Sequence, residues 1–169
     1  MNDVETRLSK VEAQLGIQQT TTRYCRALDW LDAELLKTCY TPKAAIDYGF
    51  YKGPAEGFFP VVMEIERAAL HRSHLLSNIA IDLDGESAEV ECYGIATSTL
   101  DGKTLNVFGG RYHNSFQKVA VDWRISRSQY ILDYHFETPF SDLGGAMDAL
   151  QSGVGLSHEH PLYRRLHQA

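Results

Sequence analysis

Two residues far apart in the chain, Asp29 and His74, carry the chemistry this sequence offers most directly. A carboxylate beside an imidazole orients the ring and stabilises its protonated form, which makes a simple acid–base device. Asp29 follows Leu28 and precedes Trp30, an apolar stretch at the end of a helical pattern. The competing role for an acid there is structural, since Asp29 or Asp32 could cap the short helix that follows. His74 opens a strand pattern, and alternation groups His74, Leu76 and Asn78 on one face with Leu75, Ser77 and Ile79 on the other. A histidine, an apolar residue and an amide on one face suit the polar end of an apolar cavity. A surface histidine at a strand start is the plain alternative, and His71, ahead of the predicted strand, is the weaker candidate.

Two phenols come from elements that would line the same cavity, Tyr24 and Tyr48. A tyrosine hydroxyl can donate to a carbonyl or a departing oxygen, although most tyrosines are core residues with the hydroxyl at the rim. Arg111 and Tyr112 sit mid-strand after Gly109-Gly110, a pair of glycines that suggests a bulge or a close backbone approach. Arg111 points either to a solvated face or inward at an anionic or phenolic group. Arg124 and Arg127 fall on opposite faces, so at most one points in. Asn78, Tyr112, Trp30 and Phe59 are the candidate substrate contacts. No metal site is expected: His158 and His160 flank Glu159 without a third ligand at a recognised spacing, and His113 and His135 are isolated. Phosphate-binding glycine loops are absent, and no cofactor is expected.

The elements that must position these groups can be read from periodicity. Asp3 to about Leu28 forms a long helix with Val4, Leu8, Val11 and Leu15 on one stripe. Gly16 divides it into an outer arm and a docked inner section that presents Thr21, Tyr24, Cys25, Leu28 and Asp29. A short helix at Asp32–Cys39 ends at Thr41-Pro42. A strand at Ala44–Tyr48, a turn at Tyr51–Pro54 and a helix at Glu56–Leu70 follow. Four β stretches come next, at His74–Leu83, Ser87–Leu100, Thr104–Lys118 and Val121–Tyr134. Asp84-Gly85 and Asp101-Gly102 are strong hairpin signals between them. Helices followed by an antiparallel meander predict an α+β fold in which a twisted sheet curls around the helices and leaves a cone-shaped pocket. One domain is expected over residues 1–140, with 141–169 a tail of the same unit that includes a short helix at Asp142–Leu150. His158, His160, Pro161 and Tyr163–Leu166 are expected to pack on a neighbouring subunit or stay mobile.

The 169 residues suffice for one domain with a real core. Net charge is −6, which argues against a nucleic-acid partner. No apolar run reaches membrane-span length and the first ten residues are too polar for a signal peptide. Cys25, Cys39 and Cys92 are scattered, consistent with packing roles in a reduced cytoplasm. The outer face of an open curved sheet must be buried somewhere, so a homodimer or homotrimer is expected.

The ordered series Tyr24, Ala27-Leu28-Asp29, Ala45-Ile46-Asp47-Tyr48-Gly49, Lys52-Gly53, His74-Leu75-Leu76-Ser77-Asn78, Gly110-Arg111-Tyr112 and Trp123-Arg124-Ile125 resembles SnoaL-like proteins of the nuclear transport factor 2-like superfamily. The resemblance covers roughly residues 10–136. It implies a cone-shaped α+β barrel and, through scytalone dehydratase and hexachlorocyclohexane dehydrochlorinase, a cofactor-independent lyase whose catalytic Asp and His fall on Asp29 and His74. Scytalone dehydratase uses two tyrosines. Tyr48 matches one, while Leu28 stands where the other would be and leaves Tyr24 as a substitute one turn away. The implied substrate is a small hydrophobic, aromatic or alicyclic molecule, with elimination of water or loss of a small aldehyde as the reaction. Isomerases, polyketide cyclases and non-catalytic binding or assembly subunits share the superfamily and are the alternatives.

Overall fold

A computed structural model describes residues 3–139, 145 and 149–164. Its element order is α1 (Asp3–Asp29), α2 (Ala33–Thr38), β1 (Tyr40–Asp47), β2 (Lys52–Pro54), α3 (Ala55–Ala68), β3 (His71–Asp84), β4 (Ser87–Thr99), β5 (Thr104–Val119) and β6 (Asp122–Pro139). The six strands form one sheet in the order β2-β1-β6-β5-β4-β3. Every pairing is antiparallel except β1 with β6. The fold is α+β, with a sheet that curls over the helices but does not close.

α1 is continuous, yet burial divides it where Gly16 predicts. Val4, Leu8, Val11 and Leu15 are exposed, and from Ile17 onward one face is buried. The glycine serves a close approach, since a Cβ at Gly16 would sit 2.8 Å from Cδ1 of Trp123. Thr20 Oγ1 then donates to the Trp123 carbonyl at 2.6 Å, which fixes the helix across the sheet. The core between α1, α3 and the concave face includes Leu28, Leu36, Ile46, Phe58, Cys92, Phe116 and Trp123.

Four sequence expectations are corrected in detail. The segment read as a turn, Tyr51–Pro54, contributes the edge strand β2, which pairs Ile46 with Gly53. The short helix yields a strand already at Tyr40, because Pro42 blocks helix and suits extended backbone. The first long strand begins at His71 and not His74. The tail segment packs on its own chain: the Tyr163 hydroxyl donates to Asp32 Oδ2 at 2.7 Å, and His158 Nδ1 lies 2.9 Å from the Leu31 carbonyl. Most of the expected helix at Asp142–Leu150, and Leu166, lie outside the described residues.

Candidate active site

β3 positions the imidazole and the C-terminal end of α1 positions the carboxylate. Nδ1 of His74 lies 2.8 Å from Asp29 Oδ1, and the His74 backbone N–H donates to Asp29 Oδ2 at 3.3 Å. Both carboxylate oxygens therefore hold one residue, which orients the ring as well as pairing with it. Capping is carried out by Asp32, whose Oδ1 accepts from the Leu35 N–H at 2.9 Å, so Asp29 is not needed there. The His74 side chain is 9% exposed and that of Asp29 25%. Burial works against the imidazolium. The Asp29 hydrogen bond and the nearby Glu66 charge outweigh it, and the His74 pKa is raised above that of an ordinary histidine.

Two neighbours of the pair escape sequence reading. Glu66, on the last turn of α3, places Oε1 3.5 Å from Nε2 of His74 with its own side chain 12% exposed. Burial raises its carboxyl above the ordinary value, with His74 and Arg72 opposing. The available signal was an acidic residue continuing the apolar stripe Ala55, Phe58, Val62, Met63 at helical spacing. Arg72 stands two residues before His74 on the same strand, a position that starting the strand at His74 conceals. Its guanidinium donates to the carbonyls of Glu66 (2.7 Å), Ala69 (3.1 Å), Asp29 (3.2 Å) and Leu156 (2.9 Å). One cation thus ties the carbonyl ends of α1 and α3, where the helix dipoles are negative, to the C-terminal segment.

Deeper in the cone lies a cluster of tyrosines. Tyr24, Tyr48 and Tyr112 are buried together with edge-on ring contacts of 5.8 Å (Tyr48–Tyr112) and 6.0 Å (Tyr24–Tyr112). The Tyr48 hydroxyl lies 2.9 Å from Ser128 Oγ, which donates to Asn114 Oδ1 at 2.6 Å; Tyr24 is 3.4 Å from Tyr48. Burial raises the pKa of all three phenols, so they act as neutral donors. With Leu76 they border a cavity of about 10 Å³, room for roughly one water molecule. Asp29 and His74 do not border it; Leu76, two residues on from His74 along the same strand face, links the two regions.

The remaining candidates lie elsewhere. Asn78 is exposed at a bulge, with φ +51° and a register shift between Ser77 and Ala80. The extra residue reverses the alternation, so Ile79 and Ile81 turn inward in its place. Arg111 is on the outer face, where Nη2 pairs with Asp133 at 3.1 Å and the guanidinium lies over Tyr93 at 4.8 Å. Its neighbour Tyr112 takes the inward position. The glycines before it permit a tight crossing, since a Cβ at Gly109 would fall 2.0 Å from the Tyr134 ring. Trp30 packs edge-on against Tyr163 at 5.4 Å, and Phe59 against Tyr40 at 5.5 Å; neither borders the cavity. A shift of pairing between Ser115 and Phe116 opposite Ile125 and Arg127 leaves Ser126 extra, which turns Arg124 and Arg127 to the same outer side. Among the described residues no cluster of ligating side chains could hold a metal ion.

A curled, mainly antiparallel sheet over N-terminal helices is the architecture of the nuclear transport factor 2-like proteins. Within that class the chain belongs to the SnoaL-like domain family, whose model matches residues 9–129. No curated protein matches it in sequence. Its fold resembles that of a Novosphingobium aromaticivorans protein provisionally assigned as a scytalone dehydratase, with TM-score 0.71 and 19% identity over 85% of this chain and 99% of that one. It also resembles the hexachlorocyclohexane dehydrochlorinase LinA-type3 of Novosphingobium barchaimii, with TM-score 0.68 and 16% identity over 80% and 94% of the two chains. A Kribbella flavida protein gives TM-score 0.67 and 18% identity over 73% and 92%. At these identities the likeness is one of fold.

Proposed function

We propose that this protein is a cofactor-independent lyase acting on a small, largely apolar aromatic or alicyclic molecule. The observation that carries the reading is the two-point grip of Asp29 on His74. A carboxylate bonded to Nδ1 holds that proton in place and leaves Nε2 as the basic nitrogen. His74 removes a proton from carbon, and the charge that develops on the imidazole is balanced by Asp29. Tyr48 and Tyr24 supply neutral donors, oriented through Ser128 and Asn114, for an oxygen that gains charge or departs. The dehydratase and dehydrochlorinase among the fold neighbours support elimination as the reaction class. A substrate must widen the small tyrosine-lined cavity or enter beside Leu76, so an apolar ligand is expected to order this interior.

Exposed Ile95 on β4 and Leu132, Tyr134 and Phe136 on β6 support assembly into a homodimer or homotrimer, which sedimentation would size. The reaction itself is tested by incubating purified protein with β-hydroxy ketones on aromatic or alicyclic frames and measuring product mass. Loss of water or of a small aldehyde supports a lyase, and unchanged mass with altered structure points to an isomerase or cyclase. His74→Ala and Asp29→Asn should both abolish turnover while the protein stays folded. Retained turnover in both would remove the pair from the mechanism.

A further inference from the structure

Glu66 occupies a place that structure alone does not favour for a carboxylate. It lies in the last turn of α3, where the helix dipole disfavours negative charge. Its side chain is 12% exposed and its ion-pair partner among the described residues is His74 Nε2 at 3.5 Å. The groups facing it are His74, Arg72 and Asp29, and Arg72 spends its donors on backbone carbonyls. The imidazole is therefore bracketed, with Asp29 on Nδ1 and Glu66 on Nε2.

We propose that Glu66 is the third member of the proton-transfer unit, exchanging a proton with Nε2 of His74 and, within the lyase reading on which this second role rests, passing it to the departing group. In the resting arrangement Asp29 accepts from Nδ1–H, while Glu66 and Nε2 share one proton across their contact, and the proton stays on the carboxyl when the two are parted. Substrate displaces Glu66 from Nε2, which then takes the proton from carbon. The electron pair left behind forms the new double bond and expels the oxygen, and the Glu66 O–H supplies the proton that makes the leaving group water. Transfer of the Nε2 proton back to Glu66 restores both groups, so no oxidant or co-reactant is needed. The 3.5 Å separation is longer than a good hydrogen bond, as befits a contact that opens in each cycle. Burial raises the Glu66 carboxyl above its ordinary value, the direction that helps a carboxyl hold a proton.

The decisive experiment needs no substrate. The His74 ring protons and the Glu66 side-chain carbonyl carbon are followed by NMR against pH in the wild type and in Glu66→Gln. Two groups that share a proton titrate as a pair, so both signals should report the same two steps in the wild type. Glu66→Gln should leave His74 with one step, its proton affinity lowered about tenfold or more. A single His74 step that is the same in both proteins, or a Glu66 carbonyl that never follows it, overturns the proposal. The wild-type carbonyl signal decides the matter even if the variant fails to fold.

A second arm separates this inference from the lyase reading, with 3-hydroxy-1-tetralone in deuterium oxide as the probe. Glu66→Gln should retain deuterium incorporation next to the carbonyl while losing water elimination by roughly 10²–10⁴-fold; His74→Ala should lose both. Equal loss of exchange and elimination in Glu66→Gln overturns the onward transfer. A wild type that neither exchanges nor eliminates this probe or its β-chloro analogue counts against the lyase reading, while the titration still decides whether Glu66 and His74 share a proton.

Discussion

Replacing Asp29 by asparagine keeps the shape and one oxygen acceptor but removes the charge that His74 Nδ1 meets at 2.8 Å. Because the His74 pKa is raised in the folded protein, the sign of the linkage is fixed. The stability this histidine contributes is fully present below its unfolded pKa and is lost as pH rises through the folded one. An opposite charge this close favours the charged imidazole. A hydrogen bond that involves charged groups contributes about 1.5–3 kcal/mol. The Asp29 side chain is 25% exposed, so solvent screening puts the expected loss toward the lower end, about 1.5–2 kcal/mol. Urea unfolding of the wild type and Asp29→Asn at about pH 5.5 and again at about pH 9 measures this term by difference. The variant should be less stable by that amount at the lower pH. At the higher pH the remaining difference should be that of a neutral hydrogen bond, about 0.5–1.5 kcal/mol. Histidine-free behaviour is checked with His74→Ala, in which Asp29→Asn should cause no pH-dependent change. An Asp29→Asn penalty equal at the two pH values would refute the charge-based account of the pair.

Gly16→Ala should destabilise the protein. Ala gains about 1 kcal/mol of helix propensity, but its Cβ would lie 2.8 Å from Trp123, and forcing buried Trp123 aside costs about 1–3 kcal/mol; thermal melts read the sign. Tyr48→Phe removes the hydroxyl 2.9 Å from Ser128 Oγ and should cost about 1 kcal/mol of stability with a larger loss, about 10²-fold, in turnover of any β-hydroxy ketone substrate. Arg111→Ala should leave turnover unchanged and the melting temperature little altered, because its pairing with Asp133 is on the outer face. Native Cys25, Cys39 and Cys92 should resist a thiol reagent at pH 8 and react on unfolding, since burial pushes their thiols up to about 12, 12 and 11; a fast native reaction would contradict the burial argument.

Much of the fold is legible because its signals are local. Period-3.6 stripes give α1 and α3, and Asp-Gly pairs mark the hairpins, with Gly85 and Gly102 both at positive φ. Alternation along β5 holds around Tyr112, a candidate substrate contact, which lies on the buried side of that strand. The same rule fails for Asn78 and for Arg124 with Arg127, where a bulge inserts one residue and reverses the faces beyond it. No side-chain pattern announces such a bulge in a single sequence.

The sequence by itself determined most of the elements and the family, and it named Asp29 and His74 as a candidate pair, since residue type, spacing and order are local or linear properties. Tertiary structure decided which groups share an electrostatic environment. Glu66 and Arg72 enter the site only because the ends of α1 and α3 converge on the first residues of β3. Arg111 leaves it because the β5 pleat directs its side chain at Asp133. Proton affinity depends on distances of a few ångströms and on exclusion of water, and those are fixed by packing between elements that are distant along the chain.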